Sequence, residues 1–137
     1  MDLTILEANQ NIVAATDFTG ALATFSQNVR IEFTPDYVIC RGITYTPFAG
    51  DALGTYLVYS NLCNGYIGSF NINIPSAGET TSNSTSQNII HQLKKQVTSD
   101  YTFTVHGYNK LPATLNGQLA IHLDFIKLKA VKPQLVY

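Results

Sequence analysis

Apolar and polar side chains alternate with a period of two along much of this chain. In Tyr101-Thr102-Phe103-Thr104-Val105-His106, Tyr, Phe and Val share one face while Thr, Thr and His share the other. That is the pattern of a half-buried strand. Leu119, Ile121, Leu123 and Phe125 repeat it against Ala120, His122 and Asp124, and the run continues to Lys129. Val29-Arg30-Ile31-Glu32-Phe33 alternates with both charges outward and predicts another strand, ended by a bend at Pro35-Asp36. Tyr37 to Tyr45 is apolar and β-branched, broken by Gly42, which suits a bulge or a close packing point.

Asn64-Gly65 separates two strand-like runs, Thr55 to Cys63 and Tyr66 to Ile72. An Asn-Gly pair in that setting predicts a hairpin, because a tight type I′ turn needs positive φ at both central residues. A second pair, Asn116-Gly117, precedes the last long strand. Residues 46–51 have loop composition, and the polar, small-residue stretch 76–86 predicts an exposed loop. Residues 87–97 fit a strand or a short helix, and 17–27 are ambiguous between elements. Eight or nine strands at regular spacing, without helix–strand alternation, predict an all-β, antiparallel two-sheet sandwich or barrel.

With 137 residues the chain is expected to be a single domain, 1–137, with a basic C-terminal tail over about 130–137. Charged residues make up 12% of the chain, against about 25% in typical soluble domains. The net charge of −1 argues against nucleic-acid binding, which needs a surplus of Lys and Arg. No apolar run approaches the ~18 residues of a membrane span. Met1-Asp2-Leu3-Thr4 lacks the basic and apolar regions of a signal peptide. The expectation is therefore synthesis in the cytoplasm or nucleus. Cys40 and Cys63 each lie in an apolar run and are expected to be buried free thiols rather than a bridge.

Candidate chemistry is sparse. His91, His106, His122, Cys40 and Cys63 show none of the local spacings that bring metal ligands together. Neither a nucleophile elbow nor a phosphate-binding loop is present. No cofactor motif is found, and none is expected. His122 and Asp124 share one strand face and form the one candidate acid–base pair; the plainer reading is a solvated polar face. The absence of Trp lowers a sugar-binding reading without removing it.

The remaining signal is a charge-poor, Tyr- and Asn-rich composition, the signature of surfaces buried between proteins. Candidate interface residues are Tyr56, Tyr59, Tyr66, Lys127, Lys129, Lys132 and Tyr137. Residues 1–51 carry six acids and two bases, while Ile126 to Tyr137 carries three Lys and no acid. A basic tail of that kind can reach an acidic surface on a neighbouring copy.

Three stretches carry a resemblance to a known family. They are Glu32-Phe33-Thr34-Pro35-Asp36-Tyr37-Val38-Ile39-Cys40-Arg41-Gly42-Ile43, then Tyr56 to Leu62 with Ile67-Gly68-Ser69-Phe70, and Leu119 to Lys127. In order, strand rhythm and length the chain resembles small jelly-roll structural proteins of non-enveloped eukaryotic DNA viruses. The nearest analogues are the minor capsid and penton-type proteins of virophages. The resemblance implies a jelly-roll sandwich without enzyme activity, located in the virion. It implies a homo-oligomer, trimer or pentamer, that also meets other virion proteins. The competing expectations are a trimeric receptor- or glycan-binding head, tumour-necrosis-factor-like or lectin-like, and an enzyme on a small barrel whose pocket brings His122 and Asp124, or a Cys, together with other polar groups.

Overall fold

The alternation resolves into strands in a computed structural model, which describes residues 3–20, 24–28, 30–47, 54–72, 83–85, 89–93, 100–108, 111–112 and 115–131. These are β1 (Leu3–Gly20), β2 (Thr24–Asn28), β3 (Tyr37–Pro47), β4 (Gly54–Ser60) and β5 (Tyr66–Ile72). They continue with β6 (Asn83–Thr85), β7 (Ile89–Gln92), β8 (Asp100–Gly107), β9 (Leu111–Pro112) and β10 (Leu115–Val131). Among the described residues there is no α-helix, and so none long and apolar enough to cross a membrane.

The pairings are nested. β4 pairs with β5, β3 with β6 and β7, β2 with β8, and β1 with β10, all antiparallel. That is one long hairpin with its tip at residues 61–65. The hairpin then rolls up, because β10 also pairs with β3 and β8 with β4. Two sheets result, β1-β10-β3 with β6 and β7 on the far side, and β2-β8-β4-β5 with β9 on β8. This winding is a jelly roll; strand rhythm predicted the antiparallel two-sheet sandwich, and the family resemblance implied its jelly-roll form.

The two sheets enclose a core made largely of rings that cross between them. Tyr45 of the first sheet stacks on Phe70 of the second at 5.0 Å, and Phe125 on Tyr101 at 5.7 Å. Phe18 meets Phe25 edge-on at 5.9 Å. Such pairs contribute about 0.5–1.5 kcal/mol each beyond the area they bury. Inward positions on β10 are the odd-numbered ones, with Leu115, Leu119, Ile121, Leu123 and Phe125 all buried. Cys40 and Cys63 are buried free thiols. Burial pushes the Cys40 thiol up to about 11 and raises that of Cys63 as well.

Several local expectations need correction. Residues 30–33 keep their alternating burial, with Ile31 and Phe33 packed on the core, but do not form a strand. The Gln10 side chain holds them instead: its amide N–H donates to Arg30 O at 2.8 Å and its oxygen accepts from Glu32 N at 3.0 Å. Within the expected loop 76–86, residues 83–85 are strand β6 on β3, and the rest of that loop lies outside the described residues. Residues 89–92 of the strand-or-helix segment are strand β7; residues 94–97 lie outside the described residues. Of the ambiguous stretch 17–27, residues 17–20 end β1, residues 24–27 belong to β2, and residues 21–23 lie outside the described residues.

The Asn64-Gly65 hairpin is real, and Gly65 has φ +73°. Its closing pair is Tyr59–Tyr66, so six residues rather than two form the turn. The wider turn lets Leu62 and Cys63 plug the end of the sandwich, where both are buried. Gly117 belongs to β10 and is required for a different reason. A Cβ there would lie 2.5 Å from Thr46 O and 2.6 Å from the Tyr45 hydroxyl, a close approach only glycine admits.

The ends of the strands gather in two sets. Gly20 lies opposite Leu115, Pro47 opposite Gly117, and Gly54 opposite Ile72, all at one end of the roll. At the other end Leu3 lies opposite Val131. Asp36 ties that second end together. Its N–H donates to Ile126 O at 2.8 Å, and its carboxylate accepts from Leu128 N at 2.9 Å. Asp36 thus continues the β10 ladder where β3 has stopped.

Candidate functional site

A buried charge on an outward face is the most informative feature of the surface. Even-numbered residues of β10 point away from the core, yet the Asp124 side chain is only 6% exposed. A bulge in β3 covers it. The β10–β3 register runs His122–Gly42 and then Leu123–Cys40, which leaves Arg41 as the extra residue. Of the two roles that suit Gly42, a bulge or a close packing point, the register shows the bulge, which falls beside it. The facing of β3 changes parity there: Val38 and Cys40 are buried before it, Ile43 and Tyr45 after it. The extra residue is aimed onto the outer face, where Arg41 Nη2 donates to Asp124 Oδ2 at 2.9 Å. Asn9 Nδ2 of β1 donates to the other carboxylate oxygen at 3.3 Å.

Around this clamp lies a depression of about 560 Å³ whose lining includes Asn9, Asn11, Val13, Arg41, His122 and Asp124. His122 and Asp124 do share it. Both oxygens of the carboxylate, however, are engaged by Arg41 and Asn9. What the arrangement offers is a rim of amides, a guanidinium and an imidazole, suited to hydrogen bonding with a polar partner. Among the described residues no group of three or more His, Cys, Asp or Glu is placed to hold a metal.

The depression borders a free sheet edge. β1 is eighteen residues long, pairs only with β10 among the described strands, and ends the first sheet. Leu3, Ile5, Leu6 and Val13 on it are each about half exposed. A bulge between Leu6 and Ala8 leaves Glu7 as its extra residue, and Glu7 meets Lys127 at 3.5 Å. This edge is the feature that sequence reading missed. Its two faces are both rich in Asn, Gln, Thr and Ala, so no strong alternation marks it.

The candidate interface residues fall on separate surfaces. Tyr56 is a core residue, 6% exposed and stacked on Phe70 at 5.3 Å, because its position in β4 faces inward; it presents no outer surface. Tyr59 is half-buried and meets Tyr66 and His106 edge-on at 6.4 and 5.4 Å. Tyr66 is exposed. Lys127 and Lys129 lie at the far end of β10, on the other sheet. Of the expected basic tail, Ala130 and Val131 complete β10, while Lys132 and Tyr137 lie outside the described residues.

The fold places the chain in the class of jelly-roll β-sandwiches. No protein-family model and no curated protein matches it. A solved structure entitled "Structure of infectious bursal disease virus Gt strain" is similar at 12% identity and a TM-score of 0.29. The match covers 96% of this chain and 38% of that one.

Proposed function

We propose that this protein is a non-enzymatic structural subunit of a virion, a jelly-roll capsid or surface protein that assembles through protein–protein interfaces. The observation that carries this reading is the open edge of β1, which is long and carries half-exposed apolar side chains. An edge of that kind in a free monomer invites uncontrolled strand pairing, so natural proteins cover or blunt it. The low charge of the chain, 12%, points the same way, since it leaves little to keep separate copies apart. The jelly-roll winding and the family resemblance of the sequence supply the virion context.

The copies form a closed homo-oligomer, with a trimer or pentamer as its cyclic unit, and meet other virion proteins through their remaining surfaces. Native mass spectrometry of the purified chain tests this. The expected result is a discrete oligomer at micromolar concentration, and a monomer at every concentration overturns the reading.

The depression beside Asp124 favours a second reading. Its Asn9, Asn11, Arg41 and His122 side chains suit the hydroxyls of a saccharide, as on a glycan-binding head. Selective binding to a glycan array, abolished by Asn11→Ala, is the result that reading requires.

A further inference from the structure

The assembly reading leaves open which surface joins the copies. The four sheet edges differ in how they are protected. β2 has five residues, and β6 and β7 have three and four. β7 is also tied across to β5, where His91 Nε2 donates to Ile67 O at 3.0 Å. The edges of β5 and of β6 and β7 thus face each other across the sandwich. β1 has eighteen residues, no Lys, Arg or Pro, and only the bulge at Glu7 to interrupt it. Lysine, proline and shortness are usual ways of blunting an edge, and β1 uses none of them; it carries only the bulge and two acids, Glu7, which is paired with Lys127, and Asp17.

We infer that β1 pairs with β1 of a second copy, antiparallel across a twofold axis, joining the two first sheets into one continuous sheet. This rests on the assembly reading and names its contact. Antiparallel pairing of a strand with itself is the arrangement a twofold axis produces, so a second copy supplies the complementary strand without any other protein. Facing fixes the possible registers, because residues opposite each other must point to the same side. Before the bulge Leu6 lies opposite Leu128, and after it Val13 lies opposite His122; both therefore point outward with the even-numbered residues of β10.

One register sets these two exposed apolar side chains against each other. With Gln10 on the axis, Asn9 faces Asn11, Ala8 faces Ile12, and Glu7 is the bulged residue on each strand. Leu6 then faces Val13, Ile5 faces Ala14, and Thr4 faces Ala15. Among the described residues no acid opposes an acid, because Asp17 falls beyond Leu3, the first residue of β1, and Glu7 keeps its own Lys127. The two depressions beside Asp124 come to flank the axis, each lined by Asn9, Asn11 and Val13 of its own copy.

A charge-swap series on the full chain tests both contact and register. Like charges directly opposite each other in a strand pair are destabilising, and unlike charges are favourable. The double variant Leu6→Lys with Val13→Lys is expected to weaken the contact at least tenfold, read as a shift in the concentration at which native mass spectrometry sees dissociation. The double variant Leu6→Lys with Val13→Glu is expected to restore it. Circular dichroism of both variants checks that the strands persist, which the half-exposed positions of Leu6 and Val13 favour. For the wild type, species with even numbers of copies are expected, two trimeric or pentameric rings joined through β1.

If both variants assemble like the wild type, the β1 contact is wrong and the assembly reading survives through another surface. Equal dissociation of both variants sinks the Leu6–Val13 register. A wild-type monomer ends the assembly reading and this contact with it. As an independent check, Leu6→Cys mixed with Val13→Cys is expected to form a disulfide dimer that neither variant forms alone. The native thiols are buried and raised above their ordinary range, which leaves them slow to oxidise in that experiment.

Discussion

Arg41 and Asp124 are unequal partners, because water reaches one and not the other. The Arg41 side chain is 49% exposed and the Asp124 side chain 6%. Arg41→Ala leaves a buried carboxylate with one amide donor, and a buried charge stripped of its partner is costly. Its expected cost is about 2 kcal/mol or more by urea denaturation. Asp124→Asn removes the buried charge and leaves the Arg41 guanidinium, already half exposed, in contact with water, with an expected cost below about 1 kcal/mol. Equal losses from the two variants mean the carboxylate is better solvated than its burial implies. The sequence marked out Asp124 only through its neighbour His122. Its true partner lies 83 positions away in the chain, and no local spacing joins them. Gly117 shows the same limit. As a letter it signals a turn after Asn116, yet it is needed because Tyr45 and Thr46 of another strand press against it.

A strand carries more information than its facing pattern, and the bulge in β3 shows how to separate the two. Arg41 is the extra residue, so removing it leaves a regular ladder in which Cys40 and Ile43 still face inward. Removing Thr44 instead turns Tyr45 outward and breaks its stack on Phe70. Deletion of Arg41 is expected to give a folded protein that has lost its ion pair, and deletion of Thr44 an unfolded one. Near- and far-ultraviolet circular dichroism distinguishes these outcomes, and two folded proteins would contradict the assigned register. Strands that bury one face, such as β8 and β10, were legible because burial imposes a period of two. β1 was not, since an edge strand with amides on both faces leaves little apolar contrast. Residues 30–33 misled in the opposite sense. Their alternation reports that Ile31 and Phe33 face the core, while their backbone partner is the side chain of Gln10. Pattern tells which way a residue points, not what its backbone is bonded to.

At the level of the whole molecule, the outermost pair of the nest joins Leu3 to Val131, across almost the entire chain. β1 cannot pair until β10 exists, and β10 in turn rests on β3. Loop closure over such distances must precede the contacts that reward it. Refolding of the wild type is expected at about 1 per second or slower, within the range of sandwich folds, as followed by stopped-flow tyrosine fluorescence. A dominant phase faster than about a millisecond would mean that the long pairings do not limit folding. The sandwich class was visible in the sequence because strand spacing reports it. The nesting was not, because order in space follows from which strands share hydrogen bonds. The nest also separates two kinds of sequence freedom. At the end where Gly20 meets Leu115 and Gly54 meets Ile72, each ladder has already closed. Connections leaving those closed ladders can lengthen or change composition at small entropic cost. A lineage of such proteins can therefore diversify what it displays there while the rolled hairpin beneath stays constant.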